Sequence, residues 1–126
     1  MAPLTQSPTE GDLLKLDLGK NYTREVVTLA SGSSYTIGSV VGQITASGKY
    51  KLATATGTDG AETAAGVLIA AVDATGGDVS GVIIKRGPAI VSKAMLAFDA
   101  SVDDAPKTAA KLTELSVLGI VARDTA

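Results

Sequence analysis

The 126-residue chain contains no cysteine, no histidine and no tryptophan. It therefore cannot assemble a disulfide framework, a thiolate or imidazole metal site, a Cys nucleophile, or a Ser-His or Cys-His dyad. Aromatics are almost as scarce, with only Tyr22, Tyr35, Tyr50 and Phe98, too few for a stacking platform for single strands or a shelf for sugars. Positive charge is not in excess: 11 Lys plus Arg stand against 13 Asp plus Glu, a net charge of -2. Such a surface is not built to displace counterions from a polyphosphate, so no direct nucleic-acid binding is expected. The longest apolar run, Ala64 to Val72, is 9 residues closed by Asp73, short of the roughly 18 to 20 needed to cross a bilayer, so no membrane span is expected. The first dozen residues hold Pro3, Pro8, Glu10 and Asp12 without a basic-then-apolar pattern, and no secretory signal is read there. Lack of cysteine accords with a reducing site of synthesis.

What remains is an aliphatic, glycine-punctuated chain about one domain long. Met1 to Gly11 carries two of the four prolines among Thr, Gln, Ser and Glu; it is too polar to offset the entropy of ordering and reads as a flexible arm. Leu13, Leu14, Leu16 and Leu18 then surround Lys15 and Asp17, an alternation that suits a strand with one apolar face. Gly19, Lys20 and Asn21 interrupt it, so this strand pairs either with the body of the protein or with another chain. Both alternatives are open at this point.

From Tyr22 the β-formers cluster in short runs: Val26 to Leu29, Tyr35 to Ile37, Val40 to Thr45 and Tyr50 to Ala53. Ala46-Ser47-Gly48-Lys49 lies between two of them and predicts a hairpin, with Gly48 supplying the positive φ. Thr56 to Thr63, with Gly57 and Asp59-Gly60, reads as a loop. Gly66 to Ala74 reads as the most hydrophobic strand, turned by Gly76-Gly77-Asp78 into a strand over Val79 to Arg86. Gly87-Pro88 breaks that strand before Ala89, Ile90 and Val91. Asp103, Asp104 and Pro106 predict a helix start. Ala109, Leu112 and Leu115 would form its buried face, with Lys107, Lys111 and Glu114 mostly elsewhere. Gly119 stops the helix, and Ile120 to Ala122 make a closing strand.

Several motifs have chemical readings, and in each the plainer one is stronger. Gly42 to Lys49 has five residues between its glycines where a phosphate loop needs four, and Tyr50 replaces the magnesium-binding Ser or Thr, so it is a hairpin turn. Asp59, Asp73 and Asp78 could gather around calcium, but each sits beside or near Gly in a turn, where Asp bonds its own backbone. Asp73 lacks the Ser or Thr then Gly of a catalytic aspartate and has no partner copy. Asn21-Tyr22-Thr23 matches a glycosylation acceptor by chance. Lys85-Arg86 reads as edge protection rather than a phosphate site.

The order of the pieces resembles one family. Tyr22-Thr23-Arg24-Glu25-Val26-Val27-Thr28-Leu29-Ala30-Ser31-Gly32 and Gly38-Ser39-Val40-Val41-Gly42 are followed by Ser47-Gly48-Lys49-Tyr50. Next come Asp59-Gly60-Ala61-Glu62, Ala65-Gly66-Val67-Leu68, Lys85-Arg86-Gly87-Pro88-Ala89 and Leu118-Gly119-Ile120-Val121. This arrangement is similar to the head decoration proteins of tailed double-stranded DNA bacteriophages, the family of the phage lambda capsid-stabilising protein. The resemblance implies a mainly β fold, a β-clip-like bent ribbon or incomplete barrel with one short C-terminal α-helix and a flexible N-terminal arm. It implies a homotrimer on three-fold positions of the expanded head, clamping neighbouring subunits of the major capsid protein against internal DNA pressure. Neither catalysis nor a cofactor is involved. The protein would be made in the host cytoplasm and sit on the outer surface of the phage head.

Residues 1–21 would then be the capsid-binding arm and 22–126 the decoration domain. The arm's contacts would fall on Leu13, Leu14, Lys15, Leu16, Asp17, Leu18, Tyr22, Arg24 and Glu25. An apolar strand on a tether can add to a partner's sheet edge, with backbone bonds supplying affinity and leucines filling pockets. Two rival readings are another β-rich virion or surface-layer protein without a decoration role, and a small hydrolase relying on carboxylates alone. The second would need a carboxylate of raised pKa in an apolar cleft.

Overall fold

The computed structural model of the chain describes the backbone of residues 14–17 and the whole of residues 23–87 and 89–123. Along the chain run β1 (Leu14–Asp17), β2 (Arg24–Leu29), β3 (Ser34–Tyr35), β4 (Val40–Gln43), β5 (Tyr50–Leu52), β6 (Gly66–Leu68), β7 (Val72–Asp73), β8 (Val79–Ile84) and β9 (Ala89–Ser92). A 3-10 turn (Lys93–Met95), helix α1 (Ala105–Val117) and β10 (Ile120–Arg123) follow. The fold is mainly β with one short helix near its C-terminal end, as the sequence and the resemblance implied.

Five strands form a closed barrel in the order β2-β5-β4-β6-β8. Its longest seam is β2 against β8, antiparallel from Arg24 opposite Ile84 to Leu29 opposite Val79. The expected incomplete barrel is closed by a single parallel pair, Leu29 with Tyr50, extended by the Ala30 amide donating to the Tyr50 carbonyl at 2.8 Å. The β4–β5 hairpin pairs as expected, Val41 with Leu52 and Gln43 with Tyr50. Gly48 turns it at φ 75.

Adjacent side chains of the barrel strands serve two cores. Val41, Leu68 and Ile83 join Val27, Leu29 and Tyr50 in one cluster; their neighbours Val40, Val67 and Ile84 join Ala89, Val91, Leu115 and Ile120 in the other. Side chains alternate across a strand, so strands covered on both faces read as unbroken apolar runs rather than alternating ones. Each fully buried aliphatic side chain contributes about 1.5 to 3 kcal/mol relative to exposure.

The layer over the second core is a three-stranded sheet, β1-β9-β10, together with α1. Asp104 caps α1, its Oδ1 accepting from the Lys107 amide at 2.9 Å, with Pro106 in the first turn. The helix ends as expected at Gly119, whose φ of 88 suits a residue without Cβ. Its buried face differs from the expected one: Ala109 is exposed, while Lys111 and Leu115 are buried and Leu112 is partly so. At 100° per residue Lys111 lies closer to Leu115 than Ala109 does, so the chain turns a lysine inward.

The strand expected over Gly66 to Ala74 is also divided. β6 leaves the barrel after Leu68, and β7 pairs with β3 in a separate two-stranded sheet. The barrel is only three or four residues deep at β4, β5 and β6, so a nine-residue strand would overrun it. Among the described residues no helix is long and apolar enough to cross a membrane.

Candidate functional site

Of the expected arm residues, Leu13, Leu18 and Tyr22 lie outside the described residues, as does the boundary between residues 21 and 22. Leu14, Lys15, Leu16 and Asp17 make β1, which pairs antiparallel with β9: Leu14 opposite Val91, Leu16 opposite Ile90 and Asp17 opposite Ala89. The register shifts between Leu14 and Leu16, which puts Lys15 at a bulge. The structure thus pairs this segment with its own body, one of the two alternatives the sequence left open. Among the described residues no strand lies on the other side of β1. A backbone hydrogen bond nets about 0.5 to 1.5 kcal/mol, against about 1 to 2 kcal/mol to fix each residue, so backbone pairing alone does not offset the ordering of four residues on an edge.

Arg24 and Glu25 are in β2, opposite Ile84 and Ile83. The Glu25 carboxylate is 3.0 Å from Arg86 Nη2 and 3.7 Å from Lys85 Nζ. Lys85 Nζ also donates to the Tyr50 hydroxyl at 3.0 Å and stands 5.8 Å from the centre of its ring. The hydrogen bond to Tyr50, with the nearby Glu25 charge a smaller contributor, holds the Lys85 ammonium above its ordinary value. Lys85-Arg86 was expected to guard a sheet edge. Instead the pair follows β8, which has neighbours on both sides in the barrel, and locks β2 to its end.

The turn aspartates behave largely as expected. Asp59 Oδ1 accepts from the Ala61 amide at 3.0 Å, and Asp73 Oδ1 from the Thr75 amide and hydroxyl at 3.0 and 2.7 Å. Asp78 does something the sequence did not show: its Oδ1 accepts from the distant Ser31 amide at 2.8 Å and its Oδ2 pairs with Lys49 at 2.5 Å. Lys51 holds the Asp59 carboxyl below its ordinary value, Thr75 does so for Asp73, Lys49 for Asp78 and Lys107 for Asp103. These shifts run opposite to the raised acid a carboxylate hydrolase requires. Among the described residues no cluster of acidic side chains could hold a metal ion.

Sequence reasoning missed Lys111, which is 3 % exposed. Its Nζ donates to the Glu62 carbonyl and, at 3.1 Å, to Glu114 Oε1, which also accepts from the Ala64 amide at 2.9 Å. The lysine pins α1 to the loop between β5 and β6 beside a cavity of about 250 Å³ lined in part by Ala55, Pro106 and Ala110. Only finer weighing of the helical wheel, with Leu115 as its centre, could have found it. Both the ammonium and the Glu114 carboxylate are committed to internal bonds.

Among the described residues, what stands out is an apolar body with an edge strand set on it. A family model, that of the bacteriophage lambda head decoration protein D, matches residues 3–120. The chain belongs to this head decoration family. No curated protein matches it. The match spans nearly the whole chain, β1 and the barrel alike, and gives the protein a place on the phage head as a virion component that binds the capsid. The family is structural rather than catalytic.

Proposed function

We propose that this decoration protein is a homotrimer that sits at three-fold positions of the expanded head and clamps neighbouring major capsid subunits against the pressure of packaged DNA. Residues 1–21 act as the shell-binding arm and residues 22–126 as the decoration domain, working without a cofactor on the outer surface of a head assembled in the host cytoplasm. The observation that carries this reading is the family match together with β1, a leucine-bearing strand at a sheet edge that can join its backbone to another chain. Leu13, Leu18 and Tyr22 belong to the same proposed contact set. Arg24 and Glu25 anchor its root, since Glu25 is tied to Arg86.

A single short edge binds weakly. Three arms on one trimer make the second and third attachments intramolecular, which raises avidity by about 10² to 10⁴ without new contacts. Because the clamp engages only the expanded shell, binding stabilises that state by mass action. A three-fold trimer requires a head-to-tail interface that closes on itself.

Light scattering of the purified protein and its titration onto expanded heads lacking decoration test the proposal. Three-chain particles that saturate heads in multiples of three support it. A monomer, or occupancy unrelated to three-fold sites, contradicts it.

A further inference from the structure

We propose that the pocket between α1 and the loop joining β5 to β6 receives one lysine or arginine side chain of the major capsid protein. This inference rests on the reading of the protein as a clamp on major capsid subunits and gives the clamp a contact outside the arm: the arm attaches the body, and the pocket fixes how the body sits.

The site is a concavity of about 250 Å³ with apolar walls from Ala55, Pro106 and Ala110 and with Glu62 on its polar side. Small-molecule pockets run to about 300 to 1,000 Å³, so this one suits a single long side chain. Its walls are fixed before anything enters. Lys111 Nζ donates to the Glu62 carbonyl, Glu114 Oε1 accepts from the Ala64 amide at 2.9 Å, and the Ala55 amide donates to Ser101 Oγ at 2.9 Å. A preformed pocket loses little conformational freedom when it is filled, and its apolar walls match the methylene stem that lysine and arginine bury behind their charge.

Charge identifies the occupant. In and beside the pocket, Lys107 and Lys111 stand among Asp103, Asp104, Glu62 and Glu114, an excess of two acids that equals the net charge of the whole chain. Lys107 is shared between Asp103 at 2.9 Å and Asp104 at 3.8 Å, and Lys111 belongs to Glu114. Glu62 is left over. Its Oε2 accepts from the Gly60 amide at 2.8 Å, and among the described residues no ammonium or guanidinium pairs with it. A half-buried carboxylate without a cation, set beside apolar walls, is complementary to a basic side chain. A second copy of the chain has few to lend, because Lys49, Lys51, Lys85, Arg86, Lys107 and Lys111 each already hold an acid of their own chain. The partner that remains is the capsid to which a head decoration protein binds.

The test titrates the unsubstituted full chain, Glu62→Gln, Glu62→Lys and Ala110→Phe onto expanded, undecorated heads at about 0.1 M and about 0.5 M salt. Glu62→Gln removes the charge and keeps an acceptor for the Gly60 amide; Ala110 is exposed, so the larger side chain obstructs the pocket without entering the core. The expected result is that Glu62→Gln and Ala110→Phe melt as the unsubstituted protein does and bind heads about fivefold or more weakly at the lower salt. Glu62→Lys should bind more weakly still, and the Glu62→Gln deficit should shrink at the higher salt. A smaller loss in either variant, equal binding by Glu62→Gln and Glu62→Lys, or a deficit that salt does not move overturns the inference. Light scattering of Glu62→Gln should give the mass of the unsubstituted protein; a changed mass assigns the pocket to a second copy and also overturns it. If the unsubstituted protein itself fails to bind heads, the clamp reading falls, and this inference with it.

Discussion

Gly87 and Gly119 meet backbone to backbone where β9 and β10 begin: a Cβ on Gly87 would stand 1.8 Å from the Gly119 carbonyl oxygen. The Gly87 amide donates to the Leu118 carbonyl at 2.8 Å, and the Ala89 amide to Gly119 at 3.2 Å. This contact brings the end of α1 against the start of β9 and so sets the parallel register of β10. Gly87→Ala has no flexible side chain to push aside. It is expected to cost about 1 to 3 kcal/mol or more, read as a lower denaturant midpoint with unchanged slope; an unaltered midpoint would mean the approach is looser than described.

Leu115 is fully buried between α1 and the barrel. Leu115→Ala is expected to lose about 2 to 5 kcal/mol through the cavity it leaves. Thermal unfolding followed by circular dichroism checks this, and an unchanged melting temperature would place that face outside the core.

Lys111→Ala would leave the Glu62 carbonyl and part of the Glu114 carboxylate without their partner. Because Glu114 is 29 % exposed and water can reach it, the expected cost is about 1 to 3 kcal/mol. Lys111→Met keeps the packing of the stem and should recover part of the loss in chemical denaturation. Equal loss in both variants would assign the whole effect to charge pairing.

Acid and alkali should each loosen the molecule. The Asp59, Asp73, Asp78 and Asp103 carboxyls are lowered from 3.8 in the folded state. Their contribution is therefore complete above that value and fades as pH falls through the folded pKa values. Lys51, Lys85 and Lys107 are raised from 10.5, so theirs is complete below that value and fades as pH climbs past it. Asp78→Asn removes the Lys49 charge pair and should flatten the acid limb of a stability-against-pH curve; an identical limb would show that Asp78 does not titrate with folding.

Much of this architecture is legible in the residues themselves. The hairpin around Gly48, the helix start at Asp104 and its stop at Gly119 rest on local chemistry, which a short window of sequence contains. What the window does not contain is tertiary. The division of Gly66 to Ala74 follows from the shallow depth of the barrel, and the inward turn of Lys111 depends on a carbonyl 49 residues away in the chain. The Asp78 bond to Ser31 spans 47 residues. At the candidate site the alternation of Leu14 and Leu16 with Lys15 and Asp17 marks a strand, yet its partner, β9, could be found only by folding the chain.

The claim on which the rest depends is that the β1 segment attaches an otherwise self-sufficient body to the head. The barrel contains no residue of β1, and β9 pairs with β10 on the side away from β1. The direct measurement is therefore sedimentation of the protein lacking residues 1–18 with expanded, undecorated heads, after its circular dichroism and melting have been compared with the full chain. A folded body that stays in the supernatant while the full chain pellets with heads is the expected result. A truncated protein that pellets with heads as the full chain does would contradict the account.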